Sequence, residues 1–358
     1  MTDIGIVDIG IKVPFNKVKY EEIITTWGNS SPLLLENTIG IKSRGVTDYD
    51  EDIITLAMDS IDNMREAAQI PKIDCLSFGT TSQVDLIRPN SVILQQGTGI
   101  PNEALIYDVH FSEKSGTTAL VNSILLLHNE KIKSSLVVAA DTLNMYTSPG
   151  DLRETYMGAG GASLLLGKEN TILNYVDSHC YTSYFPSNFK PYDERFIRSG
   201  LPLGAEKNNY GEIKHLKDSI EGLLNKNSLT INDISKFVFP SLPVSLLQML
   251  LYELQITNDQ YINTNVFSRI GDTGSPSPFI ELRETLPHLN SNELIVLLGY
   301  GSGAGADAVL FKTTERVSDY RKDSGFTNGN NSVFVKYGET LKMENKLVSP
   351  NIKQGPFL

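Results

Sequence analysis

At 358 residues, 40% hydrophobic and 20% charged, the chain is long enough to bury a large core and to divide it between two subdomains. A net charge of -11 argues against a nucleic-acid groove or an anionic membrane surface, and no apolar run reaches the roughly 18 residues of a membrane span. Cys75 and Cys180 are too few for a disulfide framework, and no basic-then-apolar leader opens the sequence, so a reduced, cytoplasmic setting is expected.

Along the chain, Ile53, Ala57, Ile61, Met64 and Ala68 recur on one face and predict a helix over 51–68, followed by a strand ending near Thr80. Residues 107–117 read as a buried strand turning sharply into a buried helix, with Glu113 at the elbow. The helix over 116–127 is apolar nearly all round, which places it inside the molecule. A β-rich run over 135–140 then leads through a glycine-rich turn to a second one over 158–168. The second half repeats this order. A helix over 215–225 buries Leu216, Ile220 and Leu223, a strand covers 236–239, and the β-rich runs 294–299 and 301–312 flank another glycine-rich turn. Strands alternating with helices imply parallel sheets covered on both faces, and the repetition implies two similar sheets packed through shared helices. A generic doubly wound domain is the alternative. The expected divisions are 1–170, 171–312 and a segment, 313–358, that is either a tethered tail or an arm docking on a partner through the β-like patch 332–338. The five histidines show no metal-ligand spacing and the glycines at 158–161 lie between strands, so neither a metal centre nor a bound cofactor is expected.

Residues 108–117 (DVHFSEKSGT), 140–142 (ADT), 148–151 (SPGD), 158–162 (GAGGA) and 299–307 (GYGSGAGAD) together resemble the thiolase superfamily, in its ketoacyl synthase III and 3-hydroxy-3-methylglutaryl-CoA (HMG-CoA) synthase branch, over about residues 3–312. Parts are also similar to the cysteine-less acyltransferase subunit of acylphloroglucinol biosynthesis, which works beside a synthase-like subunit and a small OB-fold protein. The resemblance implies an α/β thiolase fold, two βαβαβαββ halves in a five-layer αβαβα sandwich. It also implies a homodimer or a heterodimer with a cysteine-bearing paralogue, and an acyl-CoA or carrier-protein thioester as substrate.

In active members the elbow carries a nucleophilic cysteine, assisted by a histidine, an asparagine or second histidine, and a glutamate. Carried over position by position, those places hold Glu113, Pro240, Asp272 and Thr81 here. The resemblance keeps the backbone donors of the oxyanion hole, at Glu113 and Ser302. A carboxylate at the start of a helix is favoured in its ionised form and is a poor nucleophile toward a thioester, since attack gives a mixed anhydride beside a second negative charge. Three readings follow: a non-catalytic partner in an acyl-transfer or condensing complex of polyketide-like secondary metabolism; an enzyme of altered chemistry using Glu113 and Asp272, with His110 contributing; or a scaffold or binding protein unrelated to acyl transfer.

Overall fold

The computed structural model describes residues 4–64, 70–110, 112–185, 187–200, 211–320 and 332–347. In chain order its strands are β1 (Gly5–Lys12), β2 (Asn16–Lys19), β3 (Ser43–Val46), β4 (Cys75–Gly79), β5 (Leu105–Val109), β6 (Ser135–Thr142), β7 (Ala159–Gly167), β8 (Leu173–Tyr181), β9 (Asn188–Phe189), β10 (Arg198–Ser199), β11 (Lys236–Val238), β12 (Leu294–Gly301), β13 (Gly305–Thr313) and β14 (Val333–Phe334). Nine of these form one sheet in the order β11-β12-β13-β8-β1-β7-β6-β4-β5. Its middle is a thin seam: β1 and β8 share only the pairs Gly5↔Asn174 and Ile6↔Leu173.

Outward from that seam the halves mirror each other. The first reads β1-β7-β6-β4-β5. The second reads β8-β13-β12-β11 and then, where a fifth strand would lie, the single bridge Phe237↔Tyr261. Strand direction departs from the expected parallel arrangement. Within this sheet only β5-β4-β6 and β11-β12 run parallel, and its remaining pairs are antiparallel. Three residues, 302–304, join β12 to β13, and so short a link can connect only antiparallel strands.

Layering follows from which helices are apolar all round. The helix Ser115–Leu127 buries Ala119, Leu120, Val121, Ile124 and Leu127, and with Ser277–Thr285 it lies between the half-sheets, each touching strands of both. The helices Ile53–Asp62 and Glu212–Lys226 bury one stripe each and cover the outer faces. Three hydrophobic clusters correspond to these layers, one between the half-sheets and one under each outer layer. Each fully buried Leu, Ile or Phe there contributes roughly 1.5–3 kcal/mol. The helix expected over 51–68 spans Ile53–Asp62, opened by a capping box between Asp52 and Thr55; residues 65–69 lie outside the described part.

The described part of the segment after Lys312 packs back on the chain itself. β14 adds in parallel to β2, with Val333 opposite Asn16 and Phe334 opposite Lys17, so the predicted strand addition is made to the chain's own sheet. The β-like run also stops at Phe334, and a helix, Tyr337–Met343, takes over. Tyr337 accepts from Trp27 Nε1 at 2.7 Å and donates to Glu154 Oε2 at 2.8 Å. Glu344 and Lys346 then enter the interior, where they meet Arg44 and Glu154.

Candidate active site

A cavity of about 670 Å³ opens where the two halves meet at the elbow, and Glu113, Pro240, Asp272 and Ser302 all line it. The elbow is made by backbone geometry. β5 ends at Val109, Ser112 takes a left-handed φ of 51°, and the helix begins at Ser115. Left-handed backbone is unusual for a residue with a side chain and marks a tightly determined turn.

Two contacts fix the elbow to the second half. Lys114 is buried and places Nζ 2.8 Å from Asp307 Oδ1, while Thr117 and Thr118 donate to Asp307 Oδ2 at 2.9 and 3.1 Å. Gly116 lies so close to the loop before Ser277–Thr285 that an added Cβ would stand 2.5 Å from Ser275 O.

Glu113 does more than occupy the elbow. Its Oε2 accepts the Ser302 N–H at 2.9 Å and also a hydrogen bond from the Ser112 hydroxyl. Ser302 sits in the β12–β13 turn, aimed there by Gly303 at a φ of 76° and Gly305 at 104°. The side chain at position 113 therefore takes up the Ser302 N–H, the donor that the resemblance assigns to an oxyanion hole.

Asp272 is held between two backbone segments, its N–H donating to Tyr156 O at 2.7 Å and its C=O accepting from Gly158 N at 2.7 Å. Its Oδ1 accepts the Gly274 N–H at 2.9 Å. Burial pushes its carboxyl up to about 7; the Gly274 N–H opposes this, and the charges of Glu113 and Asp141 reinforce it.

Behind this pair, Asp141 Oδ1 gathers the 80–82 loop, accepting from Thr80 Oγ1 at 2.8 Å, Thr81 N at 2.7 Å, Thr81 Oγ1 at 3.1 Å and Ser82 N at 3.0 Å. Its Oδ2 accepts from Ser275 N at 2.8 Å. Thr81 is thus tied back to Asp141 and is not among the residues lining the cavity. His110 also stands outside it. Its Nε2 faces Asp108 Oδ2 at 3.4 Å, and Asp108 caps the helix Asn90–Thr98 through the N–H groups of Asn90 and Ser91 at 2.7 and 2.9 Å. Burial raises the Asp108 carboxyl, but bonds from His110, Ser91 and Asn90 outweigh it and hold it below the usual range. His110 serves a helix cap; it is not a neighbour of Glu113 in the cavity.

Sequence reasoning brought Glu113, Pro240, Asp272 and Ser302 to one place. It missed Asp141 and Asp307 as organising residues, although each lies within a motif already singled out, 140–142 and 299–307. For Asp307 the available signal was an acidic residue ending a glycine-rich motif; for Asp141 it was a carboxylate following the apolar run 136–140. The cavity's apolar wall, which includes Ile39, Met157, Leu242, Leu246, Met249 and Phe267, gave none.

The two mirrored halves, the buried helix pair and the elbow at their junction define a thiolase fold. Residues 224–313 match the model of the 3-oxoacyl-[acyl-carrier-protein] synthase III C-terminal family. The chain is 28% identical over 348 residues to the hydroxymethylglutaryl-CoA synthase of Methanopyrus kandleri, covering 96% of this chain and 98% of that protein. A crystal structure of HMG-CoA synthase complexed with CoA superposes with a TM-score of 0.84 at 20% identity, covering 98% and 92% of the two chains. The HMG synthase of the curacin biosynthetic pathway, in complex with acetyl donor-ACP, gives 0.81 at 14% identity, covering 95% and 88%. Along nearly its whole length the chain is similar to ketoacyl synthase III and HMG-CoA synthase-like proteins, and it has their thiolase fold.

Proposed function

We propose that this chain is a non-catalytic thiolase-fold subunit of an acyl-transfer or condensing complex in polyketide-like secondary metabolism, working beside a cysteine-bearing paralogue that holds the acyl group. The observation that carries this reading is the bond from Ser302 N–H to Glu113 Oε2: the nucleophile's seat holds a carboxylate, and that carboxylate engages the oxyanion donor. Pro240 has no proton to move, and Thr81 is bound to Asp141. The similarity to an HMG-CoA synthase solved with CoA and to a curacin-pathway synthase solved with a donor carrier protein supports thioesters of CoA or of phosphopantetheine as what the complex handles. The likeness of parts of the sequence to the acylphloroglucinol acyltransferase subunit supports a small OB-fold protein as a further member, alongside dimer formation.

Incubation of the reconstituted complex with radiolabelled acyl-CoA should label the paralogue and leave no acid-stable adduct on this chain. A covalent adduct here would sink the proposal. A second reading is favoured by Asp272, whose carboxyl is pushed by burial up to about 7, in the same cavity as Glu113. The pair would then act as acid and base in decarboxylation or in direct acyl transfer without a covalent intermediate. That reading requires thioester turnover by the isolated chain, and Glu113→Gln should then lower it by roughly a hundredfold or more.

A further inference from the structure

We propose that the cavity of this chain takes a neutral, largely apolar ligand whose polar head donates hydrogen bonds, and turns away carboxylates and phosphates. The inference rests on the reading above, in that it takes the cavity to be a ligand site, and it goes beyond it by assigning the class of ligand.

The argument begins with donors. At the elbow, the backbone N–H groups of Ser302 and Gly274 are each already engaged by a protein carboxylate at 2.9 Å: Glu113 in one case, Asp272 in the other. Arg153 is the only cation among the described lining residues, and each of its nitrogens already makes a hydrogen bond. Its Nε and Nη2 clamp Asp151 at 3.0 and 2.6 Å, its Nη1 donates to Asn188 Oδ1 at 2.8 Å, and its Nη2 also reaches Ile197 O at 3.1 Å. Glu212 lines the cavity as well and adds no positive charge. The hydroxyls of Ser187 and Ser241, which also line the cavity without a partner among the described residues, are neutral donors and do not offset the negative charge, so an entering anion would lose its water and meet the carboxylates of Glu113 and Asp272, which is unfavourable.

The acceptors show the opposite state. Both bonds made to the Glu113 carboxylate fall on Oε2, and the one made to Asp272 falls on Oδ1. Among the described residues Glu113 Oε1 and Asp272 Oδ2 accept no hydrogen bond, so a head group bearing hydroxyl or N–H donors would complete them. Around this polar spot the wall is Met157, Leu242, Leu246, Met249 and Phe267, suited to an apolar body. In the complex, such a ligand fits an acyl acceptor or its product, while the charged thioester donor stays with the cysteine-bearing subunit.

Three matched probes test this: 4-butylbenzamide, butylbenzene and 4-butylbenzoate, titrated into the full-length protein at pH 8 by calorimetry and ligand-observed NMR. The amide should bind at least roughly tenfold more tightly than the benzoate, with butylbenzene between them. Glu113→Gln should narrow the amide–benzoate gap, and Leu246→Trp, which fills the apolar wall, should weaken all three. Benzoate bound as tightly as the amide would overturn the charge selectivity, as would a gap unchanged by Glu113→Gln. Butylbenzene matching the amide would overturn the donor requirement. If none of the three binds, the cavity is not a ligand site, and this inference falls on that separate ground.

Discussion

Asp272 is the residue where burial, a backbone donor and two neighbouring charges act on one proton. Its ordinary pKa is 3.8 and its folded value is about 7, so between those values the folded chain holds a proton the unfolded chain has released. The stability tied to that proton is fully present below about pH 4 and is lost as pH rises through 7. Asp272→Asn removes the titration. The variant should therefore gain on the wild type between pH 4 and pH 8, by about 1–2 kcal/mol once solvent screening at this partly buried site is allowed for. Urea denaturation at a series of pH values measures the difference, and parallel profiles would contradict the assignment. Glu113 and Asp141 are the charges that face Asp272, so Glu113→Gln should move the midpoint of that difference to lower pH.

Among the elements, the helix Ser115–Leu127 carries the most structural consequence, because it is packed from both half-sheets and starts at the elbow. Gly116 is the position where it approaches the facing loop. A methyl group 2.5 Å from Ser275 O cannot be accommodated without moving backbone, since neither partner is a flexible side-chain end. Gly116→Ala should destabilise the protein by about 1–3 kcal/mol in urea melts, although alanine is the better helix former. An unchanged midpoint would show that the two elements are not in contact.

This helix was legible in the sequence, to within one residue, because an all-round apolar pattern has a single physical solution. The repeat of the halves was legible for a similar reason: local composition recurs in order. What holds the helix in place was not. Lys114 and Asp307 are 193 residues apart, and a lone pair at that separation leaves no periodic trace. Strand alternation likewise gave no sign that Ser112 turns to a φ of 51°, or that His110 faces the carboxylate capping another helix. The parallel sheets expected from β–α alternation became mixed because the link between β12 and β13 is too short for a crossover, a fact of loop length that periodicity does not report.

At the scale of the whole molecule, the C-terminal arm ties together regions far apart in the chain. Arg44, Glu154, Glu344 and Lys346 have fully buried side chains and sum to zero charge. Arg44 forks onto both oxygens of Glu344; Lys346 Nζ lies 2.7 Å from Glu344 Oε2 and 3.0 Å from Glu154 Oε1. Asn144 and Thr147 bond the same group at 3.0 Å each. Burial alone would raise the Glu344 carboxyl, but Arg44 and Lys346 overcome it and hold it below its ordinary value. A balanced buried set of this kind is close to neutral in net energy while intact, whereas removing one member strands its partners at a cost of about 3–5 kcal/mol. Glu344→Gln should therefore destabilise the isolated chain by about that amount, and a chain ending before Val333 should lose β14 and the quartet together and melt at a clearly lower temperature. The loss should extend to the cavity, because Glu154 lies in the same turn as Asp151, Leu152 and Arg153, which line it. A truncated protein that melts with the full chain, yet no longer assembles with other subunits, would return the arm to the role of a partner-docking segment. Lowered stability in the chain alone identifies it as an internal strap.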